Sequence, residues 1–245
     1  MSEKWLERTE LLIKEKGIER LKAAHLLVVG LGGVGSFAAE FLARAGVGRM
    51  TIVDGDTVDV TNINRQLPAL HSTVGKTKSE VVAARLLDIN PDLELTVLTE
   101  FLNPESMGAV LDSARFDYVL DCIDSVTPKL ELIKEARRRK IKLISSMGAG
   151  GKTDPSKIMV KDISKTYNCY LAKQVRKRLK RESLLQKGFK CVFSSELQNE
   201  ESLKMTDGTN FKRSFYGTIS FIPAAFGLFA AAEVLNYLLK NDKKH

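Results

Sequence analysis

The sequence predicts an α/β fold: a Rossmann-like, doubly wound, mostly parallel sheet with a C-terminal elaboration. Three observations predict it. Short apolar runs rich in Val, Ile and Leu alternate with stretches of helical period from residue 25 to residue 145. The first run passes directly into Gly30-Leu31-Gly32-Gly33-Val34-Gly35. Two later runs each end on a carboxylate, Asp54 and Asp121. Strands separated by helices require crossovers, which make neighbouring strands parallel and the connections right-handed.

The elements follow in order. Residues 3–21 place Trp5, Leu6, Leu11, Leu12, Ile13, Ile18 and Leu21 at a loosely helical spacing. His25-Leu26-Leu27-Val28-Val29 reads as a short buried strand, and a helix over 33–45 ends at Gly46 and Gly48. Met50-Thr51-Ile52-Val53 is the second strand. A helix over 76–89 stops before Asn90-Pro91, because the residue ahead of a proline avoids helical geometry. Then come a strand over 93–98, a helix over 104–114, a strand over 117–120, a helix over 127–140 and a strand over 141–145.

After Gly148-Ala149-Gly150-Gly151 the rhythm changes. Residues 157–162 and 189–194 read as strands flanking a basic helix over 167–185, and the polar stretch 196–213 reads as a mobile loop. An apolar helix over 219–239 and a Lys-rich tail close the chain. One domain is expected over 1–245, with a nucleotide-binding core in 1–151 and, in 152–245, an elaboration for substrate and dimerisation.

Composition narrows the function. Of 245 residues, 44% are hydrophobic and 28% charged, which excludes collagenous, coiled-coil and disordered classes. Lys and Arg number 38 against 30 Asp and Glu, a net +8 that favours an anionic partner. Cys122, Cys169 and Cys191 form no C-x-x-C pair, so neither a disulfide framework nor a paired-thiolate zinc is expected, and a reducing cytoplasm is. The stretch 219–239 is nearly long enough to span a bilayer, but Glu233 within it favours a core or interface helix over stable membrane insertion.

The glycine turn follows a strand and opens a helix, the setting in which phosphate reaches free amides at a helix N-terminus. Asp54, about 20 residues on, ends the second strand where a carboxylate accepts ribose hydroxyls. NAD, FAD and ATP all satisfy that pattern. Arg65 offers a planar fork for phosphate oxygens, and Lys78 near a helix start calls for a nearby anion against the dipole. Asp124 suits magnesium on a triphosphate or, alternatively, a helix N-cap. Hydride transfer leaves Arg65 and Lys78 unexplained; a reaction expelling pyrophosphate employs both.

These residues resemble the ThiF/HesA/MoeB family, adenylating relatives of ubiquitin-activating enzymes. The likeness covers the glycine turn (Gly30, Gly32, Gly33, Gly35), the Asp54-x-Asp56 turn, Asn62-x-x-Arg65-Gln66, Gly75-x-x-Lys78 and Asp121-x-x-Asp124. It implies that these positions bind ATP: Asp54 on the ribose, Arg65 and Lys78 on the phosphates, and Asp124 on magnesium. Ser125 stands where the family has Asn. It also implies a homodimer in which Arg8 reaches the partner's ATP.

The resemblance extends over nearly the whole chain to the tRNA-modifying members, through Asp121-Cys122-Ile123-Asp124-Ser125-Val126-x-Pro128-Lys129, Gly148-Ala149-Gly150-Gly151-Lys152-x-Asp154-Pro155 and Cys191-Val192-Phe193-Ser194-Ser195-Glu196. It implies ATP-dependent dehydration of threonylcarbamoyladenosine beside the anticodon, through an acyl-adenylate. The alternative is an activator of a sulfur-carrier or ubiquitin-like C-terminus, and a sulfur-transfer protein is a candidate partner. For tRNA, the basic helix offers Lys173, Arg176, Lys177, Arg178, Lys180 and Arg181 without an intervening acid. The Arg137–Lys140 run reads as helix-end charge, Tyr167 and Tyr170 as buried packing, and Cys191 as a buried, inert thiol.

Overall fold

The computed structural model describes residues 4–182, 188–205 and 214–240. Its seven-stranded sheet is built from β1 (His25–Val29), β2 (Arg49–Val53), β3 (Glu94–Leu98), β4 (Tyr118–Asp121), β5 (Leu143–Ser146), β6 (Ile158–Asp162) and β7 (Lys190–Ser194). The order is β3-β2-β1-β4-β5-β7-β6. All neighbours are parallel except β6, which runs antiparallel to β7 with Lys161 opposite Cys191.

The strand chemistry explains two packed faces. Successive side chains of a strand point to opposite sides, and β1 is apolar at every interior position. Leu26 and Val28 enter one core while Leu27 and Val29 enter the other. The first core is covered by α2 (Gly35–Arg44), α3 (Lys78–Ile89) and α7 (Phe221–Lys240), with α1 (Glu7–Ala23) at its margin. The second is covered by α4 (Pro104–Asp112), α5 (Val126–Arg138) and α6 (Tyr170–Arg181). The doubly wound arrangement is therefore as expected, with element ends shifted by a few residues. From β1 the chain builds outward to β2 and β3, then returns to add β4 on the other side. That reversal opens a crevice at the carboxyl ends of β1 and β4, where such sheets bind ligands.

The expected mobile loop contains regular structure. Leu203–Met205 and Ser214–Tyr216 form a two-stranded antiparallel hairpin, β8 and β9. Residues 206–213 of that stretch, and 183–187 of the expected basic helix, lie outside the described residues.

Helix α7 is long and apolar enough to cross a membrane, with mean hydropathy 1.6, yet Ile222, Phe226, Ala230, Ala231 and Val234 are buried in the first core. It lies so close to α2 that a Cβ on Gly227 would stand 2.6 Å from the Val34 carbonyl oxygen. Gly227→Ala is therefore expected to push the helices apart and cost about 1–3 kcal/mol, measured by urea denaturation.

Candidate nucleotide site

The crevice is floored by the glycine turn. Gly30 has φ +90°, a left-handed conformation that favours glycine, and its amide donates to Val53 O at 2.8 Å. A Cβ on Gly35 would sit 1.8 Å from Gly30 O, and one on Gly33 would sit 3.0 Å from Arg65 O. The turn is thus pressed against its surroundings on two sides. At Gly32 the nearest atom to a Cβ would be Gln66 Nε2, 3.7 Å away, so this side is roomier. Val34 caps α2 without a side-chain hydrogen bond, which leaves first-turn amides to serve an anion.

Asp54 is fastened beneath this turn. Its Oδ2 accepts the Leu31 amide at 2.6 Å and its Oδ1 accepts the Asp56 amide at 2.8 Å. Burial pushes its pKa up, against those two hydrogen bonds and the nearby Lys78 charge. Lys78 itself is buried, and its ammonium meets Asp56 Oδ2 at 2.8 Å. The anion that Lys78 calls for is, in the protein alone, the carboxylate of Asp56. A phosphate arriving there would join an existing ion pair.

Arg65 and Gln66 come from a loop braced at its start. Asp59 accepts from the Thr61 amide and hydroxyl at 2.8 and 2.6 Å, and the buried Asn62 accepts the Asp59 amide at 3.3 Å. Both the Arg65 and Gln66 amides then donate to Asn62 O. The Arg65 guanidinium donates to Thr61 O at 2.8 Å and to Asn64 Oδ1 at 2.9 Å, both neutral acceptors. Gln66 Oε1 is buried with no hydrogen-bond partner, an orphan acceptor beside the roomier edge of the turn. Such an atom is costly to leave unmet, and a ligand donor placed over Gly32 would satisfy it.

At the end of β4 the two acids of Asp121-x-x-Asp124 part company. Asp121 is fully buried, whereas Asp124 is exposed in the loop. The N-cap of α5 is Ser125, whose hydroxyl donates to Asp124 Oδ1 at 3.3 Å, so the N-cap alternative for Asp124 does not hold. Arg8 stands exposed at the start of α1, and no hydrogen bond or ion pair among the described residues joins it to this crevice.

Asn64 carries the site outward. Its Nδ2 donates to Thr218 O at 2.9 Å, and the two residues share a cleft of about 510 Å3 with Lys152, Thr153, Asn199 and Ser220. Sequence reasoning assigned no role to this cleft, whose walls lie far apart in the chain.

On the opposite face of the sheet, Lys173, Lys177, Arg178, Lys180 and Arg181 of α6 are exposed. Arg176 is half-buried and donates to Thr166 Oγ1, which fixes the helix to the segment before it. Arg178 reaches Thr127 Oγ1 at 3.4 Å, in the first turn of α5 and three residues beyond Asp124. Tyr167 and Tyr170 are 50% and 62% exposed, which corrects the expectation of buried packing. Tyr170 begins the basic helix at the surface, and the Tyr167 and Phe193 rings meet edge to face, centroids 5.6 Å apart. Arg138 and Arg139 pair with Glu135, and Arg139 also with Asp112, as a structural helix end should.

Cys191 is fully buried in β7, and burial pushes its thiol well above the ordinary range. Lys190, which could have activated it, turns away to pair with Glu233. Cys122 is likewise pushed up to about 12 by burial. Neither thiol is available as a thiolate near neutral pH.

Comparison with known proteins assigns the family. The ThiF family model matches residues 6–245. A tRNA threonylcarbamoyladenosine dehydratase of Bacillus subtilis is 42% identical over 250 residues, which cover 96% of this chain and 94% of that protein. The solved structure of E. coli tRNA N6-threonylcarbamoyladenosine dehydratase, TcdA, in complex with ATP is 40% identical, with TM-score 0.85 over 97% of this chain and 96% of that one. The same E. coli protein in complex with AMP gives the same TM-score, 0.85, with the same identity and coverage. The chain is an enzyme of the ThiF family.

Proposed function

We propose that the chain dehydrates threonylcarbamoyladenosine in tRNA at the expense of ATP, closing a ring beside the anticodon. The observation that carries the reading is a glycine turn held by Asp54, with the Lys78–Asp56 pair nearby and the backbone of Arg65 and of Cys122–Ile123 pressed against it, in a chain similar over its length to dehydratases solved with ATP and AMP. The threonine carboxylate attacks the ATP α-phosphorus, giving an acyl-adenylate and releasing pyrophosphate. The far end of the neighbouring urea group then attacks the acyl carbon, gives up its N–H proton, closes a five-membered ring and expels AMP. Ring closure within one molecule has an effective molarity of roughly 10⁵ M or more, so no protein nucleophile is needed.

Each residue has a task in that scheme. Asp54 receives the ribose hydroxyls, and Gly30, Gly32, Gly33 and Gly35 let the phosphates approach the start of α2. Arg65 and Lys78 balance charge that builds on the phosphates as pyrophosphate departs. Asp56 holds Lys78 for that role, Asn62 braces the Arg65 loop, and Gln66 and Ser125 complete the nucleotide walls. Asp124 would hold magnesium, which neutralises triphosphate charge when bound. No group of three or more His, Cys, Asp or Glu gathers among the described residues; a single carboxylate shared with substrate phosphates is the usual magnesium arrangement.

A homodimer in the cytoplasm completes the proposal. Arg8 is exposed and free of the crevice of its own chain, as a residue serving a partner's ATP must be. Phe221 and Leu228 are 44% and 46% exposed on α7, apolar surface that a second copy would cover.

AMP release distinguishes substrates. It should require tRNA that carries threonylcarbamoyladenosine, and unmodified tRNA should give none. Release stimulated instead by a small glycine-tailed carrier protein would favour the sulfur-carrier activator. Lys177→Glu/Arg181→Glu on α6 should raise KM for tRNA roughly tenfold or more and flatten its salt dependence, because phosphate contacts set that dependence. Cys191→Ser should retain turnover, and its loss in a folded variant would contradict a mechanism without thiolate.

A further inference from the structure

Beneath the Asp124 loop lies a buried ionic knot for which the scheme above has no task. The side chains of Asp121 and Lys129 are both 0% exposed. Lys129 Nζ donates to Asp121 Oδ2 at 2.7 Å and to Ser145 Oγ at 3.2 Å, and Ser145 Oγ donates to the same carboxylate oxygen at 2.5 Å. The other oxygen, Oδ1, accepts the Ile123 amide at 3.1 Å. Cys122, between them, donates its amide to Val29 O at 2.9 Å. One carboxylate therefore joins β4, β5, α5 and the loop whose next residue is Asp124.

A buried ion pair is poor evidence of stabilisation, since an apolar pair of similar volume often serves as well. What this pair supplies is direction. Asp121 and Ser145 lie opposite each other across β4 and β5, and Ser145 lies opposite the buried Cys191 of β7. With solvent excluded, the carboxylate is met by Lys129, Ser145 and the Ile123 amide, and its orientation is set by Lys129 and Ser145. The Ile123 amide follows the carboxylate, and the Asp124 backbone follows Ile123.

We propose that Lys129 is a positioning residue: through Asp121 it fixes the loop that presents Asp124 to magnesium and the ATP phosphates. The proposal rests on the reading of Asp124 as the magnesium carboxylate. Metal ligands depend in this way on the groups that orient them, with losses of roughly 10–100-fold in metal affinity when such a partner is removed.

The test is equilibrium titration of the full-length protein with a non-hydrolysable ATP analogue over a series of magnesium concentrations, without turnover. Thermal unfolding identifies a temperature at which every variant is folded. Lys129→Met should raise the magnesium concentration for half-maximal binding roughly tenfold or more, and Ser145→Ala should shift it less in the same direction. Asp124→Asn, the control, should shift it at least as far as Lys129→Met. Should Lys129→Met fail to fold, Asp121→Asn/Lys129→Met removes both buried charges and carries the same expectation. A wild-type magnesium dependence in the folded Lys129 variants, with Asp124→Asn shifted, overturns the positioning role alone. An unshifted Asp124→Asn overturns the assignment of Asp124 and the positioning role with it.

Discussion

Arg65→Ala is expected to lower AMP formation on modified tRNA by roughly 10²–10³-fold, the usual loss when one preorganised charge-stabilising group is removed. The fold should survive. The loop that carries Arg65 is held by its backbone, through the Asn62 carbonyl and the Asp59–Asn62 cap, and the guanidinium bonds only to neutral oxygens. The substitution therefore deletes a charge held only by neutral loop oxygens, without orphaning a buried carboxylate. Arg65→Lys should recover little, since an ammonium keeps the charge but loses the planar fork that grips two phosphate oxygens. AMP release measured beside thermal unfolding checks both halves, and near wild-type turnover in folded Arg65→Ala would contradict the assignment.

Lys129→Met is expected to produce the largest loss of stability, about 3–5 kcal/mol near neutral pH, because it leaves Asp121 charged and buried without its counter-ion. The loss should shrink in acid. Burial pushes the Asp121 pKa up, and the Lys129 ammonium is the chief influence holding it down. Without Lys129 the folded-state pKa rises further above the unfolded value. The folded variant then binds the proton more tightly than its unfolded chain, so its stability increases as pH falls through the folded pKa towards the unfolded one. Urea denaturation of both proteins at about pH 8 and about pH 5 reads the difference. An equal deficit at both values would show that the charge of Asp121 is not what the variant suffers from.

Where the sequence reading succeeded and failed follows from what periodicity can carry. The strand–turn–helix unit at Gly30–Gly35 is legible because its chemistry is local: φ +90° at Gly30 favours glycine, and the 1.8 Å approach at Gly35 leaves no room for a Cβ. Asp54 and Asp121 are legible as strand ends, and strict alternation with helices implies parallel pairing. The antiparallel β6 and the β8–β9 hairpin are not, since a strand pattern does not name its neighbour.

Partners of charged groups are harder still. Lys78 advertises the need for an anion, but that Asp56 supplies it depends on the turn folding back at 2.8 Å. Lys129 shares a helical face with Ile133 and Ala136, both buried, which is the one sequence signal that it points inward. Tyr167 and Tyr170 show the opposite failure. Aromatic character suggests burial, whereas α6 turns Ala172, Val175 and Leu179 to the core and leaves Tyr170 at the surface. The cleft beside Asn64 is invisible in the sequence because its walls converge only through tertiary contacts.

The most direct test of the central claim is mass spectrometry of nucleosides from threonylcarbamoylated tRNA incubated with the protein, ATP and magnesium. The modified nucleoside should lose about 18 Da, one water, with one AMP formed for each ring closed. An unchanged nucleoside mass, with the protein folded and ATP bound, would contradict the dehydratase reading.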